Sequence, residues 1–414
     1  MRGRIVQRGQ SFSVVLYLGR DPTTGKERRK WTTFRTRREA ERYRTQAVAM
    51  HEAGGVIATT RQRLGDYLHI WLRGHTPHLA PTTAQSYRDL IQGHLLPALG
   101  HVWLAKLTPQ LIRDYVDTAL RTGLSTTSVR YHVVVLRAAL SQAVRDGLLP
   151  RNAASLVTLP KRAHSEMRTL DLEQATVFLG EAKRYSPYCR LYLAALTTGA
   201  RQGELAGLRW QDIDFSSIPI RAAIRQTMYR LAGRKRDQTK GQTLFGAPKG
   251  KRARTVPLAP TLVGKLLALR DEQKDRKRRL GDRYQDFDLV FCQPNGKPLH
   301  FHNVTQKDFR RVLALHGLRK ELRKAGVTEE ALPKGLPQIR FHDLRHSAAS
   351  LWLAQGRHPK VVQELLGHQS ATMTLDVYSH AIPALAEAAV TELADLLAPT
   401  RKQAEAKPAQ TPVS

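Results

Sequence analysis

The 414-residue sequence predicts a multidomain protein: a small N-terminal β-sheet plus helix, an all-α domain, and a larger, mainly α mixed α+β domain. Three observations lead there. Apolar residues alternate with period two near the N-terminus, recur at helical spacing after Gly54-Gly55, and mix both patterns from Thr169 onward. The length itself suggests roughly two to three domains, and 41% hydrophobic content is enough to bury a core in each.

In residues 1–55, Phe12, Val14, Leu16 and Leu18 alternate with Ser13, Val15 and Tyr17, which is a strand pattern. Asp21-Pro-Thr-Thr-Gly25 reads as a turn, and Glu27 to Phe34 as a second, strongly basic strand. Thr36 with Glu39 three residues on forms a capping box, so a helix should start there. This stretch holds 13 Lys+Arg against five Asp+Glu. Arg28, Arg29, Lys30, Trp31 and Arg35 are candidate nucleic-acid contacts, because a β-ribbon fits the major groove, where Arg and Lys read guanine and phosphate.

The second domain is expected over 60–155. Leu64, Tyr67, Leu68, Trp71 and Leu72 follow helical spacing, and cap signals recur at Pro81-Thr-Thr, Thr108-Pro109 and Ser125-Thr-Thr. They predict four short helices ending near Asp146-Gly147. Pro150, Asn152 and Pro160-Lys161-Arg162 then make a basic, breaker-rich linker. A third domain is expected over 165–397. It should carry helices around Asp171 to Arg184, Pro187 to Thr198 and Pro260 to Asp271, and strands over Ile213 to Met228 and Thr255 to Leu258. Arg230 to Arg254 is either an extended basic hairpin or a loop, residues 314–337 read as an insertion, and 398–414 as a disordered tail.

Composition narrows the partner. A net charge of +32, from 67 Lys+Arg against 35 Asp+Glu, implies a polyanion. No apolar run approaches the roughly 18 residues that span a bilayer, and the N-terminus lacks the apolar core of a secretory signal, so the expected compartment is the cytosol. Nucleic acid therefore fits better than membrane. Cys189 and Cys292 lack disulfide-framework or metal-site spacing and read as core thiols.

The most informative residues lie near the C-terminus: Phe-His-Asp-Leu-Arg-His, with His342 and Arg345, then Leu-Leu-Gly-His, with His368, then Thr-Leu-Asp-Val-Tyr, with Tyr378. A phenol attacks an anion only when its proton is drawn off and the target's charge is neutralised. Two imidazoles and a guanidinium beside a tyrosine supply both, and the natural target is a phosphodiester. Arg345 lies one helical turn beyond His342, with His346 beside it, and Gly367 is suited to end a helix over Val361 to Leu366 and leave His368 projecting. His342-Asp-Leu-Arg-His346 also approaches the zinc-protease pattern. Asp343 is too short for the needed Glu, however, and Arg345 would bring a cation to a dicationic metal. No metal or cofactor is expected.

Through these motifs the chain resembles the tyrosine recombinases, or phage integrases, over most of its length. The resemblance implies that Arg201, in Thr198-Gly-Ala-Arg-Gln-Gly-Glu-Leu205, is a further catalytic arginine, alongside His342, Arg345, His368 and a nucleophilic Tyr378. Gly199 should end the preceding helix, and Glu204, one turn beyond Arg201, should pin its guanidinium. A hairpin lysine is the implied general acid: Lys249 in Pro248-Lys-Gly-Lys-Arg-Ala-Arg-Thr-Val-Pro-Leu258, with Lys251 the alternative. Residues 1–55 resemble an arm-site-binding domain, implying a three-stranded sheet plus helix, and 60–155 a helical core-binding domain. The implied activity is site-specific recombination through a 3′-phosphotyrosyl link, on double-stranded attachment sites in a bacterial or phage-infected cell. The link conserves bond energy without ATP or metal. A homotetramer on DNA is implied, with excisionase or DNA-bending accessory proteins, and Leu385, Ala389, Leu393 and Leu396 form an apolar stripe that packs either on a neighbouring protomer, as the resemblance implies, or on its own domain. Rival readings are a topoisomerase IB-like enzyme and a non-catalytic DNA-binding regulator.

Overall fold

The computed structural model describes residues 3–20, 25–52, 61–161, 167–231, 233, 241–248, 253–368 and 394. They fall into two compact units, Met1–His164 and Ser165–Ser414.

The first unit opens with an antiparallel sheet of β1 (Gly3–Arg8), β2 (Ser11–Arg20) and β3 (Glu27–Phe34) in sequential order, followed by α1 (Arg37–Glu52). The capping box forms: the Glu39 N–H donates to Thr36 Oγ1 and the Thr36 N–H to Glu39 Oε2, both at 3.3 Å. Val14 and Leu16 pack with Ala40 and Ala47 of α1, whose small side chains let the helix approach. Residues directly opposed on antiparallel strands share a face. Val15 opposes Trp31 and Tyr17 opposes Arg29, so Arg29 and Trp31 lie on the face away from α1. Lys30 opposes Leu16 and shares the helix side. The candidate contacts of β3 therefore divide between two faces.

The helical part has α2 (Leu64–His75), α3 (Pro81–Leu90), a wide turn over Ile91–Leu95 leading into α4 (Leu96–Leu99), α5 (Pro109–Arg121) and α6 (Thr126–Arg145). Thr108 Oγ1 accepts from the Leu111 N–H at 3.3 Å, and Ser125 Oγ from the Ser128 N–H at 3.2 Å, capping α5 and α6 as their sequences predict. Val129, Val133, Leu136 and Leu140 run along α6 at helical spacing into one core. The Tyr67 hydroxyl donates to the Ala139 carbonyl at 2.8 Å and ties α2 to it.

The second unit contains α7 (Leu172–Tyr185), α8 (Cys189–Thr198) and α9 (Gln202–Gly207), then β4 (Ile213–Asp214), β5 (Arg221–Ile224), β6 (Thr227–Leu231), β7 (Gln242–Gly246) and β8 (Arg254–Pro257). Helices α10 (Pro260–Leu280), α11 (Phe309–Leu313), α12 (His316–Lys324), α13 (Asp343–Ala354) and α14 (Pro359–Leu366) follow. The sheets are small: β4-β5-β8 and the β6-β7 hairpin. The stretch Ile213 to Met228, read as strand, holds β4, β5 and the start of β6. The Asp214 carboxylate accepts the Ser216 N–H at 2.9 Å and the Ser217 N–H at 3.3 Å, which closes a turn between β4 and β5. Helix α10 outruns its predicted end at Asp271. Its last turns lack an apolar stripe but carry one-turn ion pairs Lys274–Asp271, Arg276–Glu272 and Arg278–Asp275. Part of the 230–254 segment is hairpin, and the 314–337 segment holds α12. Cys189 and Cys292 are free and partly buried. Among the described residues no helix is long and apolar enough to cross a membrane.

Candidate active site

The site is built where three helix ends meet β8. Helix α8 stops at Gly199, whose φ of 58° is the left-handed conformation glycine adopts without a Cβ penalty. Two residues on, Arg201 precedes α9, and its N–H donates to Glu204 Oε2 at 2.8 Å while its Nη1 donates to Glu204 Oε1 at 2.9 Å. Glu204 thus pins Arg201 by main chain and side chain together, as its spacing predicts. The other guanidinium nitrogens of Arg201 have no partner among the described residues, and the side chain is 27% exposed. The pair points a fixed, partly open cation at solvent.

His342 sits at the start of α13 and Arg345 one turn along it. Arg345 is only 2% exposed. Its Nη1 donates to the Gly199 carbonyl and its Nη2 to the Leu366 carbonyl, each at 2.7 Å, so one guanidinium joins the ends of α8 and α14. The rings of His342 and His346 meet edge to face at 5.2 Å. Helix α14 ends at Gly367, φ 66°, and His368 follows with its N–H on the Gln363 carbonyl at 3.1 Å. Asp343 is occupied by Arg340, whose N–H, Nε and Nη2 all donate to it, at 2.7, 3.1 and 2.8 Å.

Burial, then the positive field of Arg345 and Arg201, lowers the His368 imidazole to about 4. Burial and His342 hold His346 at about 4, and burial with Arg345 lowers His342 as well. All three are neutral at pH 7, so the standing positive charge belongs to the arginines. Neutral imidazoles can each donate one hydrogen bond or take one proton. For Glu204, burial raises the carboxyl, but hydrogen bonds and charge from Arg254, then Arg201, bring it down to about 2. It is a permanent anion between two cations.

Arg201, His342, Arg345 and His368 are therefore brought together, each influencing the protonation of another. Tyr378, Lys249 and Lys251 lie outside the described residues, as do the Leu385, Ala389, Leu393 and Leu396 stripe and the 398–414 tail. In the N-terminal sheet Trp31 is 44% exposed, with the Arg8 guanidinium 4.8 Å from its ring centre, and Arg29 pairs with Glu27. Arg28 lies on β3, and Arg35 is exposed just beyond it. One site residue was missed by sequence reasoning: Arg254, which shares Glu204 with Arg201. Fifty residues separate it from Glu204 in the chain, and only the laying of β8 beside α9 joins them.

Comparison with known proteins gives the chain's family and fold. Residues 168–384 match the model of the phage integrase family, and residues 63–120 that of the phage integrase N-terminal SAM-like domain. A XerC-like tyrosine recombinase of Caldanaerobacter subterraneus is 28% identical over 400 residues, covering 93% of this chain and 96% of its own. The ICEBs1 integrase of Bacillus subtilis is 25% identical over 394 residues, covering 95% and 99%. The Tn1549 transposon integrase, solved with a circular-intermediate DNA, superposes with a TM-score of 0.62 at 21% identity, over 80% of this chain and 99% of that one. The lambda integrase tetramer on a Holliday junction gives 0.53 at 19% identity, over 90% and 94%. These structures share the fold.

Proposed function

The chain belongs to the phage integrase family, tyrosine site-specific recombinases that act on DNA, and from that premise we propose that Tyr378 is its nucleophile and Arg201, Arg345, His342 and His368 its phosphate site. The observation that carries this reading is the Arg201–Glu204 pair beside Arg345, His342 and His368, a charged cradle with an open guanidinium edge. The Tyr378 phenolate attacks the scissile phosphorus, a 3′-phosphotyrosyl ester forms, and the bond to the 5′ oxygen breaks. Lys249, or Lys251 in its place, protonates that oxygen; His342 assists proton transfer. Arg201, Arg345 and His368 meet the charge that builds on the non-bridging oxygens, each contact worth about 3 kcal/mol if made mainly in the transition state. A 5′ hydroxyl from a partner duplex reverses the step and completes exchange.

Residues 1–55 serve as an arm-site-binding domain, 60–155 as the core-binding domain and 165–397 as the catalytic domain. In the first, Arg29 and Trp31 contact DNA from the open face, flanked by Arg28, Lys30 and Arg35. Exchange between two duplexes needs four active sites, hence a homotetramer on DNA, a form in which lambda integrase has been solved on a Holliday junction. Excisionase or DNA-bending proteins set direction.

The test is a nicked suicide duplex bearing the attachment site, taken from the sequence repeated at the two ends of the integrated phage or other mobile element on which such an integrase acts. Wild-type protein should be trapped covalently and Tyr378→Phe should not. Normal trapping by Tyr378→Phe would overturn the nucleophile assignment.

A further inference from the structure

Behind the arginine assigned to the phosphate stands a second one. Arg254 begins β8, and its side chain is 13% exposed against 1% for Glu204. Its Nη1 donates to Glu204 Oε1 at 2.9 Å and its Nη2 to Oε2 at 2.7 Å, a two-pronged grip, while Nε donates to the Leu365 carbonyl at 3.1 Å. The same carboxylate holds Arg201 through its Nη1 and its N–H. Four hydrogen bonds fill the acceptor capacity of Glu204.

The arrangement has an electrostatic consequence. A buried carboxylate paired with one guanidinium cancels its charge, and a phosphodiester arriving at such a pair meets little net attraction. With two guanidinium groups on one carboxylate, the cluster keeps a net positive charge, and the edge it opens to a ligand is that of Arg201. Arg254 also packs against the backbone of Gly367, where an added Cβ would lie 2.8 Å from Arg254 Cδ. The turn that delivers His368 therefore rests on the Arg254 stem.

We propose that Arg254 is a positioning residue: by sharing Glu204 with Arg201 and holding the end of α14, it leaves the Arg201 charge uncancelled and keeps Arg201 and His368 aimed at one phosphate. Arg254 itself touches no substrate. The inference rests on the assignment of Arg201 to the phosphate made above.

The experiment uses the full chain and the nicked attachment-site duplex in two forms, with an ordinary scissile phosphodiester or with a methylphosphonate, which carries no charge there. At saturating DNA, Arg254→Met should cleave the diester about 10- to 100-fold more slowly than wild type, with DNA affinity within about twofold. On the methylphosphonate, which needs no charge neutralised, the defect should shrink by at least about tenfold. Arg254→Lys keeps one charge without the two-pronged grip, should fall between, and serves if Arg254→Met does not fold. An equal defect on both substrates would show a merely structural role, and diester cleavage within about twofold of wild type would show no role; either overturns the proposal. Arg201→Ala is run alongside. If it cleaves the diester normally, the parent assignment fails; if it is slow while both Arg254 variants are normal, only the inference about Arg254 fails.

Discussion

At the scale of the residue, the site is a set of titratable groups held away from their ordinary values. His346 and His368 stand at about 4 against an ordinary 6.5, because burial and neighbouring charge disfavour the imidazolium. Between those values the unfolded chain binds protons that the folded one refuses, so stability falls as pH drops from about 6.5 toward 4. Glu204 extends the loss: its contribution is complete above 4.5 and disappears as pH falls toward about 2. Urea midpoints measured across pH 7 to about 4 should decline steadily, and His346→Gln should flatten the decline. An unchanged slope in that variant would mean His346 does not titrate as described. Spacing made the pairs Arg201–Glu204 and His342–Arg345 legible, and the family resemblance joined the two pairs into one site. Spacing did not reveal that Arg345 is buried on two carbonyls, because that depends on which helix ends converge on α13.

At the scale of the element, the geometry depends on how helices stop. Gly199 and Gly367 both read as terminators from the sequence, and both adopt left-handed backbone. Gly199 has a second constraint: a Cβ there would lie 2.8 Å from Leu366 Cδ2 and 3.1 Å from the Trp352 ring, and its carbonyl holds Arg345. Gly356, just beyond α13, has φ 75° but open space around it. Gly356→Ala should therefore cost only the backbone strain, about 1 kcal/mol, and leave cleavage intact. Gly199→Ala should cost about 2 to 4 kcal/mol and slow cleavage, since relieving the clash shifts an Arg345 acceptor. Thermal melts with single-turnover cleavage separate the two, and equal behaviour would refute the close-packing argument. Helix starts were legible for the same local reason, as at Thr36, Ser125 and Asp171. The far end of α10 was not, because ion pairs rather than an apolar stripe sustain it, nor was the turn that splits Ile213 to Met228, which rests on the side chain of Asp214.

At the scale of the molecule, the net charge of +32 sets how it meets DNA. Counterion release makes affinity fall steeply with salt, by a slope near 0.9 for each phosphate contacted. The face of the N-terminal sheet turned away from α1 offers Arg4, Arg8, Arg29 and Trp31, none of them needed for the core that Val14 and Leu16 make with Ala40 and Ala47. Replacing Arg29 and Trp31 by alanine should thus leave the fold intact. If this face binds the second class of DNA site, that double variant should lose about tenfold or more in affinity for it and about one unit of salt slope, while cleavage of the core duplex stays normal. Lys30 is the internal control, since it opposes Leu16 on the helix side: Lys30→Ala should weaken arm-site binding less than the double variant does. Binding measured at several salt concentrations decides the matter, and an unchanged slope in the Arg29/Trp31 variant would move the arm-binding surface off this face.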